Sequence, residues 1–219
     1  MSGQPQARSV GWLLALHSSS PVLGVAVQPL GRPDLSPQLK AFPLAKELSN
    51  ALLPCVEEVL PAEEWPHVAR LAVAIGPGGF TGTRLTVAMA RTLAQQLAVP
   101  LDGISSFHLI ARRLLADDPT AGPVILSQEL PRHGVVAGLY DVDPPSPGGV
   151  AELRQPRLYR NEEDVVRALG RHPRHLAQPK LPEDGAHLLA FSQESASRGL
   201  LAPWASVVPL YPTSPVELP

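Results

Sequence analysis

The stretch LAVAIGPGGFTGTRLTVAMARTLAQQLA, residues 71–98, decides how the chain is read. It opens with five apolar residues, 71–75, a length that suits a buried strand and is too short for a helix. Gly76, Pro77, Gly78, Gly79, Phe80, Thr81 and Gly82 follow, four glycines in seven residues. Glycine takes φ > 0 at no steric cost and lets a second backbone come close. Beyond them Leu85, Met89, Leu93 and Leu97 recur every four positions, the spacing of one helix face, with Thr81 or Thr83 as candidate cap and Ala98 as the end. The unit reads as strand, glycine turn, helix.

A glycine turn that feeds a helix can cradle an anion, because free N–H groups and the helix dipole meet there. The familiar spacings nevertheless fail. A Walker loop needs Gly-Lys-Ser/Thr, and Gly82 is followed by Thr83 and Arg84. A dinucleotide fingerprint from Gly76 and Gly78 needs its third glycine at position 81, which is Thr81. The residues alone leave open a structural tight turn and an anion site.

Composition narrows the classes. A chain of 219 residues with 44% hydrophobic and 17% charged residues is globular, and it is long enough for one domain or two lobes. A net charge of −2 argues against a protein that grips nucleic acid unaided. The single Cys55 excludes an intrachain disulfide and suits a reducing, cytoplasmic setting. The apolar run 10–16 is too short to span a membrane. Prolines gather at 29–37, at 144–147 and from 203 onward, which predicts loops there and flexible tails at 1–9 and 212–219.

Outward from the centre, residues 12–16 and 22–27 around Ser18-Ser19-Ser20-Pro21 predict a hairpin. Residues 44–60 predict a helix with Leu44, Leu48, Leu52, Val56 and Val59 on one face and Pro54 inside it. Residues 100–104 predict a strand, followed by a helix over 107–116 capped by Ser105-Ser106. Asp117-Asp118-Pro119 marks the boundary between an N-terminal lobe, 10–118, and a smaller C-terminal lobe, 119–211. In the second lobe, 123–126 and 135–140 predict paired strands, Asn161 starts a helix that Gly170 stops, 187–191 predicts a strand and 192–200 a short helix. Between 152 and 180 the basic residues outnumber the acidic ones, which fits a mixed solvated surface or a phosphate contact. Seven histidines give no pair at i, i+4, and no serine sits in a Gly-x-Ser-x-Gly setting. No metal ligand set or catalytic residue is therefore assigned.

The segment GPGGFTGTR, its Ala-rich helix and Val-Pro-Leu-Asp-Gly-Ile-Ser-Ser at 99–106 resemble the TsaB family, whose hallmark runs GPGSFTGLR…GIPLxGVSSL. Gly79 stands where that family usually has serine. ALHSSS at 15–20 resembles its opening ALDTST, and Pro209-Leu210-Tyr211 its closing Pro-x-Tyr. The resemblance implies an α/β, two-lobed actin-like (ribonuclease H-like) fold, with mixed sheets flanked by helices. It also implies a non-catalytic subunit that supports TsaD in making threonylcarbamoyladenosine on tRNA. Further partners it suggests are a TsaE-like ATPase and a second copy of the chain, with tRNA contact at most indirect and no membrane. It implies no cofactor beyond a nucleotide at a subunit interface.

Three positions depart from the family pattern. His17 replaces an aspartate that holds magnesium through water in the superfamily's ATP-using members, and imidazole is a poor partner for Mg²⁺. The plainer reading of His17 is a turn residue at a strand end. Leu48 stands where a histidine is frequent. Leu130-Pro131-Arg132-His133-Gly134-Val135-Val136 replaces Asp-Ala-Arg-x-Gly-Glu-Val-Tyr, keeping Arg132 and Gly134 but not the aspartate. The rival classes are an ATP-dependent kinase or carbamoyl-transfer enzyme of the same superfamily, and an M22 glycopeptidase-like protease. The TsaD His-x-x-x-His metal motif is absent from the sequence.

The expected partner surface combines two helices. At 100° per residue, Leu85, Met89, Leu93 and Gln96 should face the core, leaving Arg84, Val87, Arg91, Ala94 and Ala98 outside. On the first helix the side away from Leu48 and Leu52 carries Lys46, Asn50, Leu53 and Glu57.

Overall fold

Two apolar runs pair at the start of the chain because only a short Ser-rich turn separates them. β1 (Trp12–His17) and β2 (Val22–Pro29) form an antiparallel hairpin with Leu14 opposite Val27. The computed structural model describes residues 11–116, 120 and 122–212, so the tails at 1–9 and 213–219 and the expected boundary at 117–119 lie outside the described residues. β3 (Gln38–Pro43) extends the hairpin on one side, antiparallel to β2. β4 (Val68–Ala74) lies parallel to β1 on the other side, and β5 (Leu101–Ile104) lies parallel to β4. The order β3-β2-β1-β4-β5 puts β1 and β4 inside the sheet, which is why they are apolar apart from Arg70 and His17.

The second sheet runs β8-β7-β6-β9, built from β6 (Val124–Leu130), β7 (Gly134–Val142), β8 (Val150–Tyr159) and β9 (Arg174–Leu176). β9 is parallel to β6, and the other pairings are antiparallel.

Five α-helices cover the two sheets in the described residues. α1 (Leu48–Glu57) and α2 (Phe80–Leu97) cover one face of the first sheet, burying Leu52, Val56, Val87 and Ala90 against Leu14, Leu16 and Val73. α5 (Glu183–Ser197) covers the other face with Leu188 and Leu189 on Leu13, Ala15 and Ala72. α3 (Ser106–Leu115) is shared between the sheets. Its Leu109 packs with the α5 face, while Phe107, Ile110 and Leu115 pack with Leu126, Val136 and Tyr140. Each such large apolar side chain contributes roughly 1.5–3 kcal/mol when fully buried, so the two halves of the chain are joined by a core. α4 (Glu162–Leu169) covers the remaining face of the second sheet through Val165 and Leu169. It starts as expected, with the Asn161 side chain accepting the Asp164 N–H at 2.9 Å and Gly170 stopping it at φ 82°.

Several expectations need correction. The expected strand at 187–191 and short helix at 192–200 are one helix, α5, whose core-facing row includes Gly185, Ser192 and Ser195 beside Leu188 and Leu189. Those small polar residues hide the helical period and leave His187-Leu188-Leu189-Ala190-Phe191 looking like a short apolar strand. The first helix is shorter than expected, with a 3-10 turn at Ala45–Glu47 before α1. β3, β8 and β9 lie where the sequence pattern predicts no strand. The lobe division at 118/119 is crossed, because α5 and the segment after it pack on the first sheet.

One buried ion pair ties these layers together. Arg70 of β4 donates to both oxygens of Asp102 on β5, at 2.7 and 2.9 Å, and Ser192 of α5 donates to the same carboxylate. Arg70 is 5% exposed and Asp102 8%. Removing one member leaves the other buried and uncompensated. Arg70→Met is therefore expected to destabilise the fold by about 3–5 kcal/mol, measured by urea unfolding, and Arg70→Met combined with Asp102→Leu to recover part of that loss.

Candidate functional site

The glycine turn joins β4 to α2. Ile75 donates to the carbonyl of Ile104 at 2.9 Å, and Gly76 then turns the chain at φ 94°. The Gly76 carbonyl accepts the Ser106 N–H at 2.8 Å, and the Pro77 carbonyl accepts the Ser106 hydroxyl, so the start of α3 is pinned to the turn. Gly79 donates to the carbonyl of Ser19 at 2.9 Å. A Cβ at Gly78 would lie 2.1 Å from that same oxygen and 2.5 Å from the Ser19 Cβ. At Gly82 a Cβ would stand 3.0 Å from the Ser18 carbonyl and 3.1 Å from Leu48. Positive φ demands glycine at Gly76, whereas close approach demands it at Gly78. At Gly79 a Cβ would meet Ser19 only at 3.9 Å.

α2 starts at Phe80 with Gly79 as its cap residue and no side-chain cap bond. Thr81 and Thr83 lie inside the first turn and do not cap it. Thr83 is buried, and Thr86 shares a hydrogen bond of 2.6 Å with Ser18. The expected Ser105-Ser106 cap is likewise positional, since Ser105 makes no side-chain cap bond. The hairpin tip takes the Gly79 N–H, so that donor is spent within the chain.

His17 is the last residue of β1, fully buried rather than a turn residue. Its Nδ1 accepts a long contact of 3.4 Å from the Ser19 N–H, and its Nε2 has no partner among the described residues. Burial pushes its pKa down to about 4, with the Asp184 carboxylate pulling the other way. A neutral imidazole therefore occupies the position. At the departure over 130–136, Leu130 ends β6, Arg132 turns the chain at φ 68°, and Gly134 comes so close to Tyr159 that a Cβ would lie 2.1 Å from its carbonyl oxygen.

The closing segment completes the site. Leu101 donates to Ala202 at 2.9 Å and Leu210 to the Ile75 carbonyl at 2.8 Å, so the chain end straps the open edge of β5. Arg84 donates to the Tyr211 hydroxyl at 2.7 Å, and its guanidinium lies 4.7 Å from the centre of that ring. The cleft left between Gly76, Gly78 and Thr83 on one side and Gln128 and Val136 on the other is also lined by Leu210. Its volume of about 150 Å³ falls short of the roughly 300–1,000 Å³ typical of small-molecule sites. The sequence missed the roles of Ser19 and Tyr211. The closely spaced glycines signal that another backbone lies against them, but not which one.

The expected partner residues separate into two groups. Lys46, Asn50, Leu53 and Glu57 are exposed, Leu53 by 50%. On α2, Arg84 and Ala98 are exposed and Arg91 is half-buried, its guanidinium 3.4 Å from the Ala205 carbonyl. Val87 and Ala94 are core residues, 1% and 0% exposed, which corrects their placement on the outer face. The row that meets the sheet is Thr83, Val87, Ala90 and Ala94, while Leu85, Met89 and Leu93 are half-buried along its flank and Gln96 is exposed. Small side chains let the helix lie close on β4, and the larger ones fill the sides.

Among the described residues, no group of three or more His, Cys, Asp or Glu side chains is placed to hold a metal ion. No described helix is long and apolar enough to cross a membrane.

A five-stranded mixed sheet joined through a shared helix to a second mixed sheet, with the turn at the junction, defines a two-lobed actin-like protein. Two solved structures share this fold. A Pseudomonas aeruginosa protein with similarity to peptidase YEAZ matches with a TM-score of 0.71 at 19% identity over 93% of this chain and 100% of that one. YeaZ from Pseudomonas aeruginosa matches with a TM-score of 0.70 at 20% identity over 92% and 99%. The family model described as TsaD, tRNA N6-adenosine threonylcarbamoyltransferase, matches residues 43–137. The chain is 32% identical over 130 residues to the tRNA threonylcarbamoyladenosine biosynthesis protein TsaB of Bacillus subtilis (strain 168), covering 58% of this chain and 54% of that protein. It is 31% identical over 70 residues to TsaB of Buchnera aphidicola subsp. Schizaphis graminum, covering 31% and 33%. The match thus spans about half the length of the first relative and a third of the second. The chain is thus similar to TsaB proteins over part of its length, and it shares its fold with the two YeaZ structures.

Two expected outcomes follow from the geometry of the turn. Gly78→Val has no room beside Ser19 and should lower the melting temperature by ten degrees or more, or prevent folding. Gly79→Ser has room and adds a cap oxygen, so it should leave stability unchanged or raise it by a few tenths of a kcal/mol; thermal unfolding of the pair checks both. His17 concerns pH. Its folded pKa near 4 lies below the unfolded value near 6.5. Its contribution is therefore full above pH 6.5 and lost as pH falls toward 4, where the unfolded chain binds the proton first. Urea unfolding at pH 7 and pH 5 should show a smaller pH loss for His17→Leu than for the parent.

Proposed function

We propose that this chain is a non-catalytic subunit of TsaB type, which binds a TsaD-like protein and supports it in forming threonylcarbamoyladenosine on tRNA. The observation that carries this reading is the closed turn. The Ser19 carbonyl occupies the place against Gly78 and Gly79 that an anion would need. His17, buried and neutral, replaces the acidic group a hydrated magnesium ion requires. The names of the two TsaB relatives supply the pathway step. The family model that matches carries the transferase's name, yet it covers only α1 through β7, and the sequence holds no His-x-x-x-His. This favours a relative of the transferase over the transferase itself, and over a glycopeptidase-like protease or an ATP-dependent enzyme.

In this reading a TsaE-like ATPase and a second copy of the chain are further candidates for the same assembly. Any nucleotide belongs at a subunit interface rather than in the 150 Å³ cleft. The cytoplasm is the compartment that fits the single Cys55. The docking surface is the exposed side of α1 with the flank of α2, where Leu53 stands out half-exposed near Asn50 and Glu57.

Co-expression with the TsaD-like protein of the same organism tests the proposal. Leu53→Glu should abolish co-purification while keeping the melting temperature within a few degrees, because the position is already in water. Ala94→Glu should instead lose the fold, since an unpaired carboxylate there is fully buried. Retained co-purification of the Leu53 variant would remove this surface, and steady Mg-ATP hydrolysis by the isolated chain would overturn the non-catalytic reading.

A further inference from the structure

The second lobe carries a set of arginines that neither the core nor the glycine turn uses. Residues 150–175 contain six arginines and no lysine, with four acidic residues among them. The structure shows where those acids go. Glu152 is half-buried and accepts the Tyr140 hydroxyl at 3.0 Å. Glu162 pairs with Arg174, and Asp164 with Arg167 at 2.8 Å. Glu163 remains, in the first turn of α4, where a helix N-terminus favours an acid. Arg154, Arg157, Arg160 and Arg171 are all exposed and have no carboxylate partner among the described residues. Arg154 spends an N–H on the neighbouring Leu153 carbonyl.

Arg154 and Arg157 lie on β8, and Arg160 directly follows its last residue. Among the described residues, β8 is the edge strand of its sheet and pairs with β7 alone. Arg154 and Arg157 line one shallow groove between β8 and α4, and Arg160 lines the next, which also holds Glu129 and the Arg174-bound Glu162. At about 3.3 Å per residue the three span roughly 20 Å of edge. A nucleic-acid strand sets down a phosphate every few ångström of its axis, so a ladder of this length meets several. Arginine binds phosphate through a planar fork.

We propose that the open edge of β8, through Arg154, Arg157 and Arg160, is a contact surface for an RNA phosphate backbone. The choice of RNA over other polyanions rests on the tRNA-modification reading above. The overall charge of −2 makes this a local contact, weak for the chain alone and stronger within an assembly. It lies on the second lobe, whereas the proposed protein-docking surface lies on α1 and α2 of the first, so the two can be broken separately.

The test is fluorescence anisotropy of a labelled tRNA transcript, titrated with the full chain and with its complex with the TsaD-like protein, at 50 and 150 mM salt. Arg154→Gln, Arg157→Gln and Arg160→Gln together should weaken binding at least tenfold at 50 mM. They should also flatten the dependence of log K on log salt by about two to three units, since each duplex phosphate no longer neutralised removes near 0.9 from the slope. Co-purification of the triple variant with the partner should be unchanged. Equal affinity and equal salt slope for parent and variant would overturn the proposal. So would a variant that keeps RNA binding but self-associates in size-exclusion chromatography, which would make the arginines edge guards. Failure of the parent to bind its partner would sink the subunit reading instead, and the anisotropy of the chain alone would still decide the arginines.

Discussion

At Gly78 two stretches of backbone lie so close that a single methyl group has no place between them. The carbonyl of Ser19 fills the space where that methyl would stand, and the next residue donates to the same oxygen at 2.9 Å. Four segments depend on this contact. It sets the tip of the β1–β2 hairpin against the start of α2. From the same turn the Gly76 and Pro77 carbonyls hold Ser106 and hence α3, and Ile75 receives the closing segment through Leu210. Each hydrogen bond alone is worth only about 0.5–1.5 kcal/mol, but the steric fit gives the junction one arrangement.

That arrangement has a chemical consequence. A helix N-terminus after a glycine turn is positive and rich in donors, and in isolation it would suit phosphate. Here its first donor is spent on the chain itself, and Arg84 beside it is stacked on Tyr211. The neighbouring strand end offers a buried imidazole, which burial keeps neutral and whose Nε2 has no partner among the described residues. The cleft beside the turn is narrow, about 150 Å³, with the hairpin tip against its glycines.

How much of this was legible in the sequence follows from what each signal encodes. The glycine spacing located the turn, and apolar runs located β1, β2 and the part of β4 that follows Arg70, because buried strands are mostly apolar. Asn161 and Gly170 bracketed α4 because capping is a local matter. The orientation of α2 was misread since hydrophobicity was taken as burial. Ala90 and Ala94 face the sheet because they are small, and Leu85, Met89 and Leu93 pack at the side. α5 was misread for the related reason that Ser192 and Ser195 lie in the core, one of them bound to Asp102. β3 and β8 sit at sheet edges, where one-sided exposure weakens the alternating pattern. The role of Tyr211 depends on a contact 127 residues away, which no local pattern can show.

The buried polar pairs explain why the lobes do not act as independent jaws. Arg70 and Asp102 bind two strands of the first sheet to Ser192 of α5, and Arg113 of α3 holds the fully buried Asp184 at 2.9 Å near the start of the same helix. α3 meanwhile divides its apolar residues between both sheets. Parting the lobes would strand Asp184 or tear Phe107 and Leu109 from opposite cores. A protein built this way gains little from opening its cleft. One side carries the half-exposed Leu53 on α1, the other the exposed arginines along β8. Each can meet a macromolecule without any change in the junction that Gly78 and Ser19 hold shut.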